Sequence, residues 1–269
     1  MTRVLVTNDD GVDAPGIRWL ANAAHALGLD VVVAAPQHEA SGMSAALTAV
    51  TEDGRVAFES TTVGDVPAYG VSASPSYIIV LAGLGTFGPP PDIVLSGINR
   101  GANAGAAVLH SGTVGATLTA SHAGLRGLAV SLDVLTPAIA TAASGGAAIA
   151  EIDKVDEEMR HWDSAADLAV RLLPTLAHTP AGTVLNLNVP DLHVDGIRGL
   201  RRGRLARFGQ VQISIAEAGE GFVRTAVQAA EEEFEPDTDL GALAESYAVV
   251  TPMRAPGEAT DVRLNLETV

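Results

Sequence analysis

Two carboxylates stand side by side in "VLVTNDDGVDAPG" (4–16), where Asp9 and Asp10 follow an apolar run and precede Gly11. Adjacent like charges at the end of a buried-looking strand repel each other and need a positive centre to neutralise them. Two further stretches can supply oxygen donors for such a centre. One is "PQHEASGMS" (36–44). The other is "SGINRGANAGAAVLHSGTVGA" (96–116), which sets glycines 97, 101, 105, 112 and 115 among Ser, Asn and Thr. Carboxylates, hydroxyls and amides are hard ligands, suited to Mg²⁺, Mn²⁺ or Ca²⁺, and neither imidazole nor thiolate is required.

The stretch "HSGTVGA" adds an anion cradle. Ser111, Gly112 and Thr113 stand where a helix begins, and free backbone N–H groups and the helix dipole there favour negative charge. A cation beside such a cradle describes a phosphate-ester site, with the metal as Lewis acid on a phosphoryl oxygen and as source of the attacking hydroxide. The plainer reading of Asp9 and Asp10 is a turn and a helix N-cap, and spacing alone leaves both open. His38, His110 and His122 read as supporting residues rather than ligands. The chain has no GxxxxGK[ST], so the P-loop is absent.

The elements that must position these residues alternate along the chain. Runs rich in β-branched residues, "RVLVT" (3–7), "DVVVAA" (30–35), "DIVLS" (92–96), "LAVSL" (128–132) and "TVLNLNV" (183–189), predict buried parallel strands. Helices are predicted between them. In "GIRWLANAAHALG", Ile17, Leu20, Ala24 and Leu27 share one face, and Gly28 ends the turn. Residues 113–125 and 162–176 give two more. This order predicts a three-layer αβα sandwich around a Rossmann-like, mostly parallel sheet, with ligands bound beyond the carboxyl ends of the strands. The three oxygen-rich loops then meet at one edge. The core spans 1–190, interrupted by a surface insertion at about 135–160, expected to be partly mobile, where small residues give way to a charge run. Residues 191–269 form a C-terminal extension that packs back on the core or reaches a partner subunit. Its arginine cluster (Arg198, Arg201, Arg202, Arg204 and Arg207) predicts an interface where acidic partners meet the charges.

Composition narrows the classes. With 269 residues, 47% hydrophobic and 18% charged, the chain can bury a substantial core. It has no cysteine, which removes disulfides and thiolate metal sites. A net charge of −16 argues against stable nucleic-acid binding, and means that a small anionic substrate needs a local positive centre. Lys154 is the only lysine. No apolar run approaches the roughly 18–20 residues that span a bilayer, and no leader precedes "RVLVTNDD"; the expectation is a cytoplasmic protein with no membrane partner.

"VTNDDGVDAPGI", "VVAAPQHEASG", "PDIVLSGINRGAN", "HSGTVGA", "LNLNVP" and "TDLGALAESYAVVTP" stand in the order and spacing of the SurE family of stationary-phase survival nucleotidases, which the chain resembles from Arg3 to Pro252. The resemblance implies a metal-dependent phosphatase acting on nucleoside 5′- and 3′-monophosphates, and on polyphosphate in some members. It implies one divalent cation, most naturally Mg²⁺ or Mn²⁺ with Ca²⁺ as a further candidate, held by Asp9, Asp10, Ser41 and Asn99. It places Asn103, Ser111, Gly112 and Thr113 around the phosphate, and assigns catalysis to Asp9, Asp10 and Asn99. It also implies a homodimer or homotetramer in which C-terminal segments are exchanged. The chain departs from the family pattern at 70–77, "GVSASPSY", at His110, where Tyr is common, and in the longer 135–160 segment.

On this reading a water attacks phosphorus in line, Asp10 can orient it, and the metal and hydrogen-bond donors stabilise the equatorial oxygens. Two rivals fail on residue type. A haloacid-dehalogenase phosphatase needs an Asp at the position of Gly11. A phospho-receiver domain needs an acceptor Asp after a later strand, where this chain has Ser96, Gly97, Ile98 and Asn99. The alternative function is a metal-dependent nucleotide sensor without turnover, which a phosphate-release assay separates from an enzyme.

Overall fold

Alternate residues of the first strand, β1 (Arg3–Thr7), face opposite sides of one sheet, with Val4 and Val6 in one apolar cluster and Leu5 in another. The computed structural model describes residues 1–135, 156–207, 209, 211–229 and 234–258. β1 leads through α1 (Pro15–Ala26) to β2 (Asp30–Pro36), and a small hairpin, β3 (Thr51–Glu52) and β4 (Arg55–Val56), follows. Next come β5 (Phe58–Val63), β6 (Val66–Val71), α2 (Pro75–Gly83), β7 (Ile93–Arg100) and α3 (Gly112–His122). Beyond them lie β8 (Arg126–Asp133), α4 (Trp162–Ala177), β9 (Val184–Pro190) and β10 (Leu200–Arg202). The chain continues through a hairpin, β11 (Val211–Gly219) and β12 (Phe222–Ala229), then α5 (Asp239–Ala244) and β13 (Ala248–Met253).

The main sheet runs β10-β13-β9-β8-β7-β1-β2-β6-β5. β6, β2, β1, β7, β8 and β9 are mutually parallel, while β5 and β13 run antiparallel to their neighbours β6 and β9. α1 and α4 bury Ile17, Leu20, Trp162 and Leu176 against one face, and α2 and α3 bury Ile78, Ile79, Ala116 and Ala120 against the other. The three layers expected from the alternating pattern are present. Each fully buried Leu, Ile or Val contributes on the order of 1.5–3 kcal/mol, so two continuous clusters can support a site that is itself electrostatically unfavourable.

The predicted strands and helices are found with ends shifted by a few residues. α2 was not foreseen, because "PSYIIVLAG" is apolar on every side and shows no helical period. Its signal is local: the Ser74 side chain accepts a hydrogen bond from Tyr77 N–H ahead of Pro75. Most of the expected 135–160 insertion, residues 136–155, lies outside the described residues. Its end does not behave as a plain surface charge run, since Arg160 is buried and paired to Asp191 at 3.2 Å.

Part of the C-terminal extension is built into the core. β13 pairs with β9, and β10 pairs with β13. Three of the five arginines of the cluster find partners within their own chain. Arg204 pairs with Glu235 and Asp237, Arg201 pairs with Glu245 at 3.0 Å, and Arg198 and Arg201 both lie over the Tyr247 ring. Among the described residues no helix is long and apolar enough to cross a membrane.

Candidate active site

β1 lies between β2 and β7, and the chain reaches one neighbour directly and the other only after building β2, β5 and β6. That reversal opens a crevice at the carboxyl end of β1, where Asp9 and Asp10 stand. Buried Asn8 shapes the turn: its Nδ2 donates to Gly11 O at 2.9 Å, and its Oδ1 accepts from Gly11 N at 3.2 Å. Ala40 N donates to Asp9 O at 2.7 Å, and Val12 N donates to Pro36 O at 2.9 Å, tying the turn to the end of β2. Neither aspartate caps α1. The N-cap is Ala14, it has no side-chain cap, and the first turn carries no acidic residue.

Asp9 is instead held from α3. Thr113 Oγ1 donates to Asp9 Oδ1 at 2.5 Å. A Cβ on Gly112 would meet Asp9 Oδ2 at 2.7 Å, so only glycine lets the helix start this close to the carboxylate. Ser111 caps α3, its Oγ accepting from Val114 N at 3.0 Å. Asp9 is 4% exposed, and burial raises its pKa, opposed by the Thr113 hydroxyl and the Gly112 N–H. Asp10 is pushed up to about 7, first by burial and then by the charges of Asp9, Glu39 and Glu157, with Arg100 opposing. Among the described residues, Arg100 is the one positive group that opposes the rise at Asp10.

Both carboxylates line a cavity of about 490 Å³ together with Ser41, Asn99, Asn103 and Ser111. Six of the residues singled out in the sequence therefore meet in one place, while Gly112 and Thr113 sit behind Asp9. Asn99 is aimed by an irregularity. β7 slips against β8 between Ser96 and Asn99, and Gly97 there has φ +132°, where a Cβ would collide with Val130 O. Asn99 Nδ2 donates to Gly101 O at 2.7 Å, which leaves the amide oxygen to act as ligand. The Ser41 hydroxyl donates to Glu39 Oε1 at 2.6 Å.

Asn103 is fixed by β8 and β9. Its N–H donates to Asn188 Oδ1 at 2.8 Å, its carbonyl accepts from Asn186 Nδ2 at 2.8 Å and Asn188 Nδ2 at 3.1 Å, and its Nδ2 donates to Ser131 Oγ at 2.9 Å. Further along the loop, Gly105 N donates to Asp239 Oδ2 at 2.7 Å, and Asp239 Oδ1 accepts from Ala206 and Leu240 N–H groups, each at 2.9 Å. Sequence reasoning did not assign functions to Glu39, Arg100, Asn186, Asn188 or Asp239. The available signal was two asparagines alternating within a buried strand, since a buried amide requires partners.

Among the described residues, no three or more His, Cys, Asp or Glu side chains group to hold a metal. A four-ligand set exists only when the Ser41 hydroxyl and the Asn99 amide oxygen are counted beside the two carboxylates. That all-oxygen set, with two carboxylates of raised pKa, fits a hard divalent cation.

A protein-family profile described as "Survival protein SurE" matches residues 4–213. A protein of Edwardsiella ictaluri named 5′/3′-nucleotidase SurE is 34% identical over 257 residues, 94% of this chain and 89% of the relative. One of the same name from Yersinia pseudotuberculosis is 33% identical over 259 residues, covering 94% and 90%. In structure, the SurE protein of Aquifex aeolicus superposes with a TM-score of 0.71 at 26% identity, covering 96% of each chain.

Proposed function

The chain belongs to the SurE family and is a nucleotidase, and from that premise we propose a metal-dependent phosphatase that hydrolyses nucleoside 5′- and 3′-monophosphates, with polyphosphate as a further substrate. The observation that carries the reading is the Asp9–Asp10 pair, under-neutralised and facing a polar cavity at the amino end of α3.

Asp9, Asp10, Ser41 and Asn99 would hold the cation. When bound, Mg²⁺, Mn²⁺ or Ca²⁺ supplies Lewis-acid polarisation of the phosphoryl oxygen and of the attacking water. The protein supplies position. The Ser111 hydroxyl and the backbone N–H groups of Gly112 and Thr113 favour an anion at the start of α3. Asn103, locked through both its backbone groups by Asn186 and Asn188, presents its side chain at the cavity wall. Asp10, less buried than Asp9, would orient a water. Assembly as a homodimer or homotetramer through the C-terminal segment belongs to the same proposal. It is supported by the β11–β12 hairpin, which among the described residues pairs only with itself and leaves Ile215, Phe222 and Val223 70%, 53% and 58% exposed.

Phosphate release from 5′- and 3′-nucleoside monophosphates, with and without added Mn²⁺, tests the reading. Binding without release would make the protein a sensor.

A further inference from the structure

An anionic substrate faces an electrostatic problem here. A phosphate monoester brings up to two negative charges, the chain carries −16, and the cavity is lined by Asp9, Asp10 and Glu39. A divalent cation balances Asp9 and Asp10 and leaves Glu39 and the ester uncompensated. Among the described residues, the only Arg or Lys that lines the cavity is Arg100. It ends β7, one residue after Asn99, on the strand whose slip aims that amide at the site.

Arg100 is also held in place. Its Nε lies 3.2 Å from Glu157 Oε1. The same oxygen lies 3.3 Å from the Nε of Arg160, whose side chain is 1% exposed and whose other edge meets Asp191 at 3.2 Å. Glu157 O accepts from Trp162 Nε1 at 2.9 Å. Glu157 is thus braced at carboxylate and backbone, and presents the guanidinium at the rim. With both side chains more than a third exposed, the Arg100–Glu157 contact adds little to stability. Its consequence is placement.

We propose that Arg100 recognises the substrate phosphate, its guanidinium donating to non-bridging oxygens while Glu157 positions it and competes with the anion for it. The proposal rests on the phosphatase reading above and names the residue that gives this acidic site its affinity for phosphate esters. A planar fork suits this task better than an ammonium group, because two N–H donors meet two phosphate oxygens together.

The test is calorimetric titration of inorganic phosphate into the Mn²⁺-loaded parent, Arg100→Ala and Arg100→Lys, with a parallel Mn²⁺ titration of each metal-free protein. A charge-assisted hydrogen bond sets the scale, so Arg100→Ala should weaken phosphate binding about tenfold or more. Arg100→Lys should recover part of the loss. Mn²⁺ should bind Arg100→Ala as tightly as the parent or more tightly, because a cation beside two carboxylates has been removed. Unchanged phosphate affinity in Arg100→Ala overturns the proposal. So does a parallel loss of phosphate and Mn²⁺ affinity, which would make Arg100 a support of the cation site, and so does a parent that binds no phosphate. A parent that binds phosphate through Arg100 but releases none from a nucleotide refutes the enzyme reading alone.

Discussion

The Thr113 hydroxyl donates to Asp9 Oδ1 across 2.5 Å, joining the first turn of α3 to the loop after β1 with both residues buried. This bond fixes which oxygens of Asp9 remain for other partners and lowers a pKa that burial raises. Thr113→Val keeps the shape and removes the donor. Groups that orient metal ligands typically matter by about 10–100-fold. Mn²⁺ affinity and kcat/KM should each fall in that range, and the fold should lose on the order of 1–3 kcal/mol from an unsatisfied buried acceptor. Unaltered Mn²⁺ binding by calorimetry would count against the role.

Gly112→Ala should do comparable damage by a steric route. Its Cβ would lie 2.7 Å from Asp9 Oδ2 and 2.8 Å from Asp9 Cβ, so either the helix start or the carboxylate must move. The expected cost is about 1–3 kcal/mol in the melting transition, as for other overpacked sites, with activity falling further than stability. Full activity would show that Asp9 can move without harm.

Asp10 gives the pH dependence. Its folded pKa, about 7, lies above its ordinary value of 3.8, so the native metal-free protein binds more protons than the unfolded chain between these values. The associated stability is fully present below the unfolded pKa and is lost as pH rises through about 7. Asp10→Asn does not titrate there and relieves Asp9 of a neighbouring charge. At pH 8 the metal-free variant should melt at or above the parent, and this advantage should shrink toward pH 4. Added Mn²⁺ should raise the parent's Tm and leave the variant's nearly unmoved. A metal-free variant that melts well below the parent at pH 8 would identify Asp10 as a structural residue.

Asp239 pins the loop between β7 and α3 from far along the chain. Asp239→Ala leaves the N–H groups of Gly105, Ala206 and Leu240 without their acceptor, at about 1–3 kcal/mol for each group that stays buried. The variant should melt lower, and KM for a nucleoside monophosphate should rise more than kcat falls. An equal loss in both would make the residue a support of the fold alone.

Removal of the cation is the most direct test of the site as a whole. A chelator should abolish phosphate release, and Mg²⁺ or Mn²⁺ should restore it, because the proposed ligand set is entirely oxygen. Activity that persists after verified metal removal would refute the mechanism.

The sequence determined what depends on neighbours within a few residues. β-branched runs and a 3.6-residue period set β1, α1, β2, β7, β8, α4 and β9, because side-chain direction repeats every two residues in a strand and every turn in a helix. It also marked Asp9, Asp10 and the Ser111–Thr113 helix start, whose chemistry is written in adjacent residue types. It could not show α2, whose uniformly apolar surface carries no period. Only the tertiary structure decided the partners. Asn186 and Asn188 meet Asn103 from 83 and 85 residues away, Asp239 meets Gly105 across 134, and Glu157 turns a charge run into the clamp on Arg100. These contacts depend on which strand ends the sheet order brings together. The same folding supplied Arg198, Arg201 and Arg204 with acidic partners or an aromatic ring from their own chain, a pairing that the arginine cluster alone did not specify. A list of charges gives their number, and their pairing is set by the path of the backbone through space.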